Sequence, residues 1–146
     1  MLKKFIRKIK DLGIDIEYDY FDGHGFFAIE NDKPILFIDE RLNEIETSLT
    51  LLHETAHFLN EDGDKYITNH FQNNNLEFEA NKYMIREVLK MLDEKYDFTT
   101  DTNYQQIIDN LNLPYNLDGI IIDEFNNIIS DKLGLTPYHE SDCFYE

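Results

Sequence analysis

Cysteine is almost absent from this chain of 146 residues, which contains a single one, Cys143. An internal disulfide framework and a zinc finger built on several cysteines are therefore excluded. The chain also has no apolar run near the roughly 20 residues that a membrane-spanning helix needs. Linkers rich in Gly or Ser and internal repeats are missing as well. We therefore predict one domain over residues 1–146, long enough to bury a single core.

Basic residues are scarce, because 13 Lys and Arg stand against 30 Asp and Glu, for a net charge of −17. Such an acidic chain repels phosphate backbones, so direct nucleic-acid binding is disfavoured. Two helical stretches predicted near 103–111 and 117–133 have the spacing of a helix-turn-helix. They hold one cation, Lys132, whereas a recognition helix needs several. We predict a packed C-terminal helical pair that does not bind DNA.

The first ten residues carry five of the 13 basic residues, interleaved with apolar residues at helical spacing. No uninterrupted apolar segment follows them, so a signal peptide is disfavoured and a cytoplasmic location is expected. The favoured interpretation is a short amphipathic helix docked on the core with its basic face in solvent. A membrane-surface or partner-binding helix is the alternative.

Three short strands are predicted at 14–20, 26–29 and 35–38. The first alternates apolar and acidic residues, and turn signals at Asp22-Gly23 and Asn31-Asp32 separate the three. We predict a small antiparallel meander. The strand at 35–38 either belongs simply to the core or docks an extended peptide by edge pairing.

The helical period begins after Asn43, which forms a capping-box pattern with Glu46. A polar loop is predicted over 60–75, followed by a second long helix over 76–95. Strands followed by helices indicate an α+β fold. The apolar stripe predicted for the first of these helices consists of Ile45, Leu49, Leu52, Ala56 and Leu59.

The sequence HETAH lies inside that helix, with histidines at positions 53 and 57. Residues at i and i+4 lie on the same helix face, so both imidazoles can bind one Zn²⁺ at about 2.0–2.1 Å. The side chain of Glu54 points about 100° around the helix axis from that of His53. It is badly placed as a ligand and well placed to take a proton from the attacking water in metal-assisted hydrolysis.

A catalytic zinc site needs a third protein ligand and an open position. The metzincin pattern requires a third histidine where this chain has Gly63, so that class is excluded. His70 lies in the polar loop. Glutamates on the next helix are the usual alternative, and Glu77 and Glu79 lie about 160° apart on it. One of the two is expected to face the site and the other solvent.

HETAH, followed about twenty residues later by Glu-x-x-Ala-Asn, resembles the ImmA/IrrE metallopeptidases, most closely over residues 35–84. The resemblance implies a zincin-like fold with His53, His57 and Glu77 as zinc ligands and Glu54 as the base. It also implies a protein substrate, commonly a helix-turn-helix repressor that the peptidase inactivates by cleavage.

The sequence is compatible with two functions. The leading hypothesis is a zinc-dependent endopeptidase that cleaves a DNA-binding repressor. The alternative is an acidic protein that sequesters such a regulator without cutting it and keeps a relic or structural zinc site. A binding protein has no need of Glu54 beside its ligands, whereas hydrolysis does, so this residue favours the enzyme.

The group that would support the oxyanion is not identified by the sequence. Tyr66, Tyr83 and His70 are candidates through their closeness to the motif in sequence. Asn81 either orients a metal ligand or is a plain surface residue.

Overall fold

A computed structural model describes residues 2–60, 74–113 and 115–134. Contacts divide the chain into two compact units, Met1–Val88 and Leu89–Glu146. The single-domain prediction stays a prediction. The elements in chain order are α1 Leu2–Asp11, β1 Asp15–Asp19, β2 Gly25–Glu30, β3 Lys33–Asp39, α2 Glu44–Leu59, α3 Asn74–Tyr96, α4 Tyr104–Leu111, a 3-10 turn Tyr115–Leu117 and α5 Asp118–Leu133.

The sheet of the first unit has the strand order β1-β3-β2. β2 and β3 are antiparallel, with Phe26 opposite Phe37, whereas β1 runs parallel to β3, with Ile16 opposite Leu36. The three predicted strands are confirmed, but the antiparallel meander is wrong because the sheet is mixed. The central position fully buries Leu36 and Ile38 of β3. β1, in contrast, alternates apolar residues with Asp and Glu, a pattern that suits a strand at the edge of the sheet.

The central position of β3 also decides how the sheet can bind a peptide. Both sides of this strand are hydrogen-bonded, to β1 and to β2. The suggestion that residues 35–38 dock a peptide by edge pairing is therefore wrong, and this strand belongs to the core. Within the described residues, strand addition can use only β1 or β2.

The turn between β2 and β3 fixes the register of the hairpin. Asn31 and Asp32 have positive φ values of 52° and 65°. Two consecutive residues in this conformation are typical of a type I′ turn, whose twist matches that of the flanking strands. Glu30 lies opposite Lys33 as the closing pair. The turn predicted at this point of the sequence is confirmed.

The start of α2 is fixed by the predicted capping box. The side-chain oxygen of Asn43 accepts a hydrogen bond from the Glu46 backbone N–H at 2.8 Å. The Glu46 carboxylate accepts one from the Asn43 N–H at 3.1 Å. Leu52 and Ala56 are buried as predicted, whereas Leu59 is 43% exposed. The predicted stripe is wrong at Leu59 because this residue is the last of the helix.

The core of the first unit lies between the sheet and the helices α1 and α2. Phe5 and Ile9 on the apolar face of α1 are buried. The interpretation of α1 as a helix docked on the core is therefore confirmed. A helix bound to a membrane surface would insert this same apolar face into the lipid, and here the core already covers it. None of the helices in the described ranges is long and apolar enough to cross a membrane. The central cluster consists of Ile9, Ile14, Leu36, Ile38 and Leu51.

The second unit contains the predicted C-terminal helical pair, α4 and α5, which is confirmed. Phe98 packs against Phe125 of α5 with ring centroids 5.2 Å apart. The Lys132 ammonium lies 2.8 Å from the Asp97 carboxylate and donates to the Phe98 carbonyl at 2.7 Å. The single cation of this helical pair is therefore engaged within the unit itself.

Replacing Gly25 by Ala is expected to lower the free energy of unfolding by about 1–3 kcal/mol. A Cβ atom there would lie 2.7 Å from Thr50 Cγ2 and 2.8 Å from the Phe37 carbonyl oxygen. Gly119→Ala is the matched control, since its Cβ would meet no atom within 4 Å and a helical alanine is favourable. Urea denaturation followed by circular dichroism measures both. Equal stability of the two variants would contradict close packing of β2 on α2.

Candidate metal centre

Two histidines of α2 face the same side of the helix. The ring centroids of His53 and His57 are 4.9 Å apart, one helical turn from each other. His57 is buried and His53 is half-buried. The orientation of α2 follows from its buried side chains, since Leu52 and Ala56 turn another face of the helix to the core. The imidazoles are therefore held in place by the packing of the helix.

Glu77, in the first turn of α3, meets both imidazoles. Its Oε1 atom lies 3.0 Å from His53 Nε2, and its Oε2 atom lies 2.9 Å from His57 Nε2. One ligand atom from each of the three residues lies within 4.8 Å of the others. The structure thus brings together the three residues that the resemblance implied as zinc ligands.

The spacing of these atoms fits a metal ion. Neighbouring ligand atoms of a tetrahedral zinc site are about 3.3 Å apart when each lies about 2.0–2.1 Å from the ion. The nitrogen–oxygen distances of 3.0 and 2.9 Å, which join the two imidazoles to different oxygens of Glu77, are slightly shorter than that value. Glu77 Oε2 is buried and accepts no well-aligned hydrogen bond, although His57 Nε2 is near. Two imidazoles and one carboxylate form a common ligand set of catalytic zinc.

Asn81 lies one turn after Glu77 on α3 and hydrogen-bonds through its side chain to His53. From the sequence, Asn81 could either orient a metal ligand or be a plain surface residue. The contact with His53 supports the orienting role. Burial lowers the pKa of His53, an effect that outweighs the attraction of Glu77. The imidazole is therefore neutral near pH 7, which is the form that binds a metal.

Glu54 is half-buried next to His53 in the sequence. Burial, with a smaller contribution from the Glu77 carboxylate, raises the pKa of Glu54 to about 8. Near neutral pH this group can both accept and return a proton, which suits a general acid–base residue. It contributes no ligand atom to the three-residue cluster.

Glu79, the alternative third ligand, is exposed and faces a different environment. It lines a small pocket with Leu59, Lys82 and Tyr83. The directions of Glu77 and Glu79 differ by about 160° around the helix axis. The geometry therefore places Glu77, and not Glu79, beside the histidines.

The candidates for supporting the oxyanion gain no geometric support. Tyr83 interacts with Lys8 and Glu87, and burial raises the pKa of its hydroxyl. Its neighbours are thus different from those of the histidine pair. Tyr66 and His70 lie outside the described residues.

A comparison with known protein families supports the identification of this group of residues as a metal site. Residues 5–106 match the Peptidase M78 family, described as IrrE N-terminal-like domain. The chain belongs to this family. The matched span includes α2 and α3, and it confirms the resemblance to ImmA/IrrE peptidases and the zincin-like α+β fold. No curated protein and no solved structure gave a match.

Glu77→Ala is expected to weaken Zn²⁺ binding by more than about a hundredfold, because loss of an outer-shell partner alone costs about 10–100-fold. Glu79→Ala is the matched control and is expected to bind like the wild type, since its side chain lines another pocket. Isothermal titration with Zn²⁺ measures both affinities. Equal losses from the two substitutions would reject Glu77 as the ligand.

The raised pKa of Glu54 predicts a pH effect on the metal-free protein. The folded state keeps this proton up to about pH 8, whereas the unfolded chain loses it near pH 4.5. The associated stability is therefore present below pH 4.5 and is lost as the pH rises toward 8. Each pKa unit corresponds to about 1.4 kcal/mol, so the loss is on the order of several kcal/mol.

In chelator, the unfolding free energy of the wild type should therefore fall relative to Glu54→Gln between pH 5 and 8. Glu79→Gln is the control, and its difference from the wild type should stay nearly constant over this range. A constant difference for Glu54→Gln as well would show that Glu54 ionises normally in the folded protein.

Proposed function

We propose that the protein is a zinc-dependent endopeptidase. The observation that carries the proposal is the convergence of His53, His57 and Glu77 within 4.8 Å. The half-buried carboxyl group of Glu54 follows the first histidine directly. Membership of a peptidase family supports the same conclusion.

The residues of the site divide the work of peptide hydrolysis. A bound Zn²⁺ would polarise the scissile carbonyl, acidify a water molecule and favour the ionised form of nearby carboxyl groups. Glu54 accepts the proton of the attacking water and later delivers it to the leaving amine. Asn81 orients the His53 ring through its hydrogen bond, as outer-shell residues do for metal ligands.

The outer edge of β2, which pairs with no other strand of the described residues, is the favoured place for an extended substrate. β2 packs along α2, since Phe27 lies against Phe58, the residue after His57, with ring centroids 6.3 Å apart. An added strand would form main-chain hydrogen bonds there and run close to the histidines. This position replaces the docking role first considered for β3.

The substrate we propose is a helix-turn-helix repressor, and we place the reaction in the cytoplasm, where such regulators act. The net charge of −17 supports a basic DNA-binding partner through electrostatic attraction. The supporting experiment incubates the protein with helix-turn-helix regulators from the same source, with and without a chelator. Fragment masses then give the scissile bond.

Glu54→Gln is expected to lower the rate of cleavage by at least about 10²–10⁴-fold, because the amide cannot accept the proton of the attacking water. Zinc content should be unchanged, since Glu54 supplies no ligand atom to the cluster. Cleavage is measured by mass spectrometry and zinc by elemental analysis.

Glu79→Gln serves as the control for the loss of one carboxylate and should cleave at the wild-type rate. Inactivation of the repressor by Glu54→Gln as effectively as by the wild type would contradict proteolysis as the mode of action.

A further inference from the structure

The outer face of the sheet, opposite α2, ends in a group of aromatic side chains. Phe26 stacks on Phe37 with ring centroids 5.0 Å apart, and Phe21 meets Phe26 edge-on at 5.4 Å. Phe26 is 48% exposed and Tyr20 is 66% exposed. On the same face, Ile35 and Asp39 at the two ends of β3 are buried, and Phe37 between them is half-buried. We call Phe21, Phe26 and Phe37, whose rings contact one another in series, the outer aromatic surface.

Carboxylates lie around this surface, and the segment that carries Phe21 and Phe26 is acidic. Residues 11–32 contain seven Asp and Glu but no Lys or Arg. Glu17 of β1 lies directly opposite Phe37 in the register of the sheet, and it is exposed. Exposed aromatic rings beside carboxylates form a surface that attracts cations by charge and by cation–π contact.

An arginine of the chain itself already binds in this way at the rim of the surface. The Arg41 guanidinium lies 4.0 Å from the centroid of the Tyr20 ring. It also donates two hydrogen bonds to the Asp39 carboxylate, at 3.0 and 2.9 Å, and one to the Phe21 carbonyl. A planar guanidinium satisfies an aromatic face and a carboxylate at once, which an ammonium does less well.

We propose that the outer aromatic surface docks an arginine-bearing segment of a protein partner. Charge complementarity favours this occupant over a second copy of the chain, because each copy carries −17 and the same acidic rim. The identity of the partner as the substrate rests on the proposed function. The surface is on the side of the sheet opposite the histidine helix, so docking there contributes to binding and not to the chemical step.

The first test uses a synthetic peptide, four repeats of Arg-Leu-Ala, with Glu-Leu-Ala repeats as the negative control. The full-length Glu54→Gln protein loaded with zinc is titrated and followed by amide NMR. Shifts are expected at the outer aromatic surface with the arginine peptide only. Phe26→Ala and Glu17→Lys should each weaken binding about threefold to tenfold. Asp123→Lys, an equal charge reversal at an exposed position of α5, should change it less than twofold.

Equal affinities for the Glu17→Lys and Asp123→Lys proteins would overturn the proposal, since the attraction would then come from net charge alone. Shifts confined to other parts of the protein would overturn it as well. Dimerisation in analytical ultracentrifugation that Phe26→Ala abolishes would assign the surface to a second copy and would also overturn it.

Cleavage kinetics separate this proposal from the proposed function. With a cleaved protein substrate, Phe26→Ala in the otherwise wild-type protein should raise KM severalfold and leave kcat unchanged. Active enzyme with an unchanged KM would reject the docking surface and leave the peptidase intact. Site-specific peptide binding in a protein that cleaves no substrate would support the docking surface and reject the peptidase.

Discussion

Two imidazoles and one carboxylate come together between α2 and α3, and the packing of the two helices fixes the positions of these three side chains. A capping box fixes where α2 begins. Leu52 and Ala56 anchor the helix to the core, and Ala80 and Met84 do the same for α3. These buried side chains set the direction of the polar ones. The cluster is therefore preorganised by apolar packing, which is what a metal site with precise ligand distances requires.

Burial also controls the charge of the cluster. It lowers the pKa of His53 and raises that of Glu54, so both side chains shift toward their neutral forms. A divalent ion placed among the ligands would reverse the balance for Glu54, since a nearby positive charge favours a carboxylate. The environment therefore couples metal binding to ionisation of the proposed base.

Much of the site follows from local patterns in the sequence. The i and i+4 spacing of His53 and His57, and the pairing of Asn43 with Glu46, act within a few residues of one helix. The choice of Glu77 over Glu79 depends on how two helices face each other, and the sequence supplied it through the family resemblance. The proximity of Tyr83 to the motif in sequence was misleading for the same reason, because α3 turns this ring toward Lys8 and Glu87.

The sheet was predictable strand by strand but not in its order. Hairpin signals such as Asn31-Asp32 specify neighbours in sequence, whereas nothing in a single strand states which distant strand lies beside it. The outer aromatic surface was missed because it depends on the register of β2 and β3. Phe26 and Phe37 are eleven positions apart in the sequence and become a stacked pair only across the ladder.

The difference between chain order and sheet order has a kinetic consequence. β1 comes first in the sequence, yet its only partner within the described residues is β3. β1 cannot pair with β3 in the sheet until the β2–β3 hairpin has formed. Closing the two-residue turn of the hairpin costs less loop entropy than bringing β1 to β3. Synthesis from the N-terminus therefore delivers α1 and β1 well before they can be consolidated. We therefore expect the hairpin to form first and the N-terminal segment to join the sheet last.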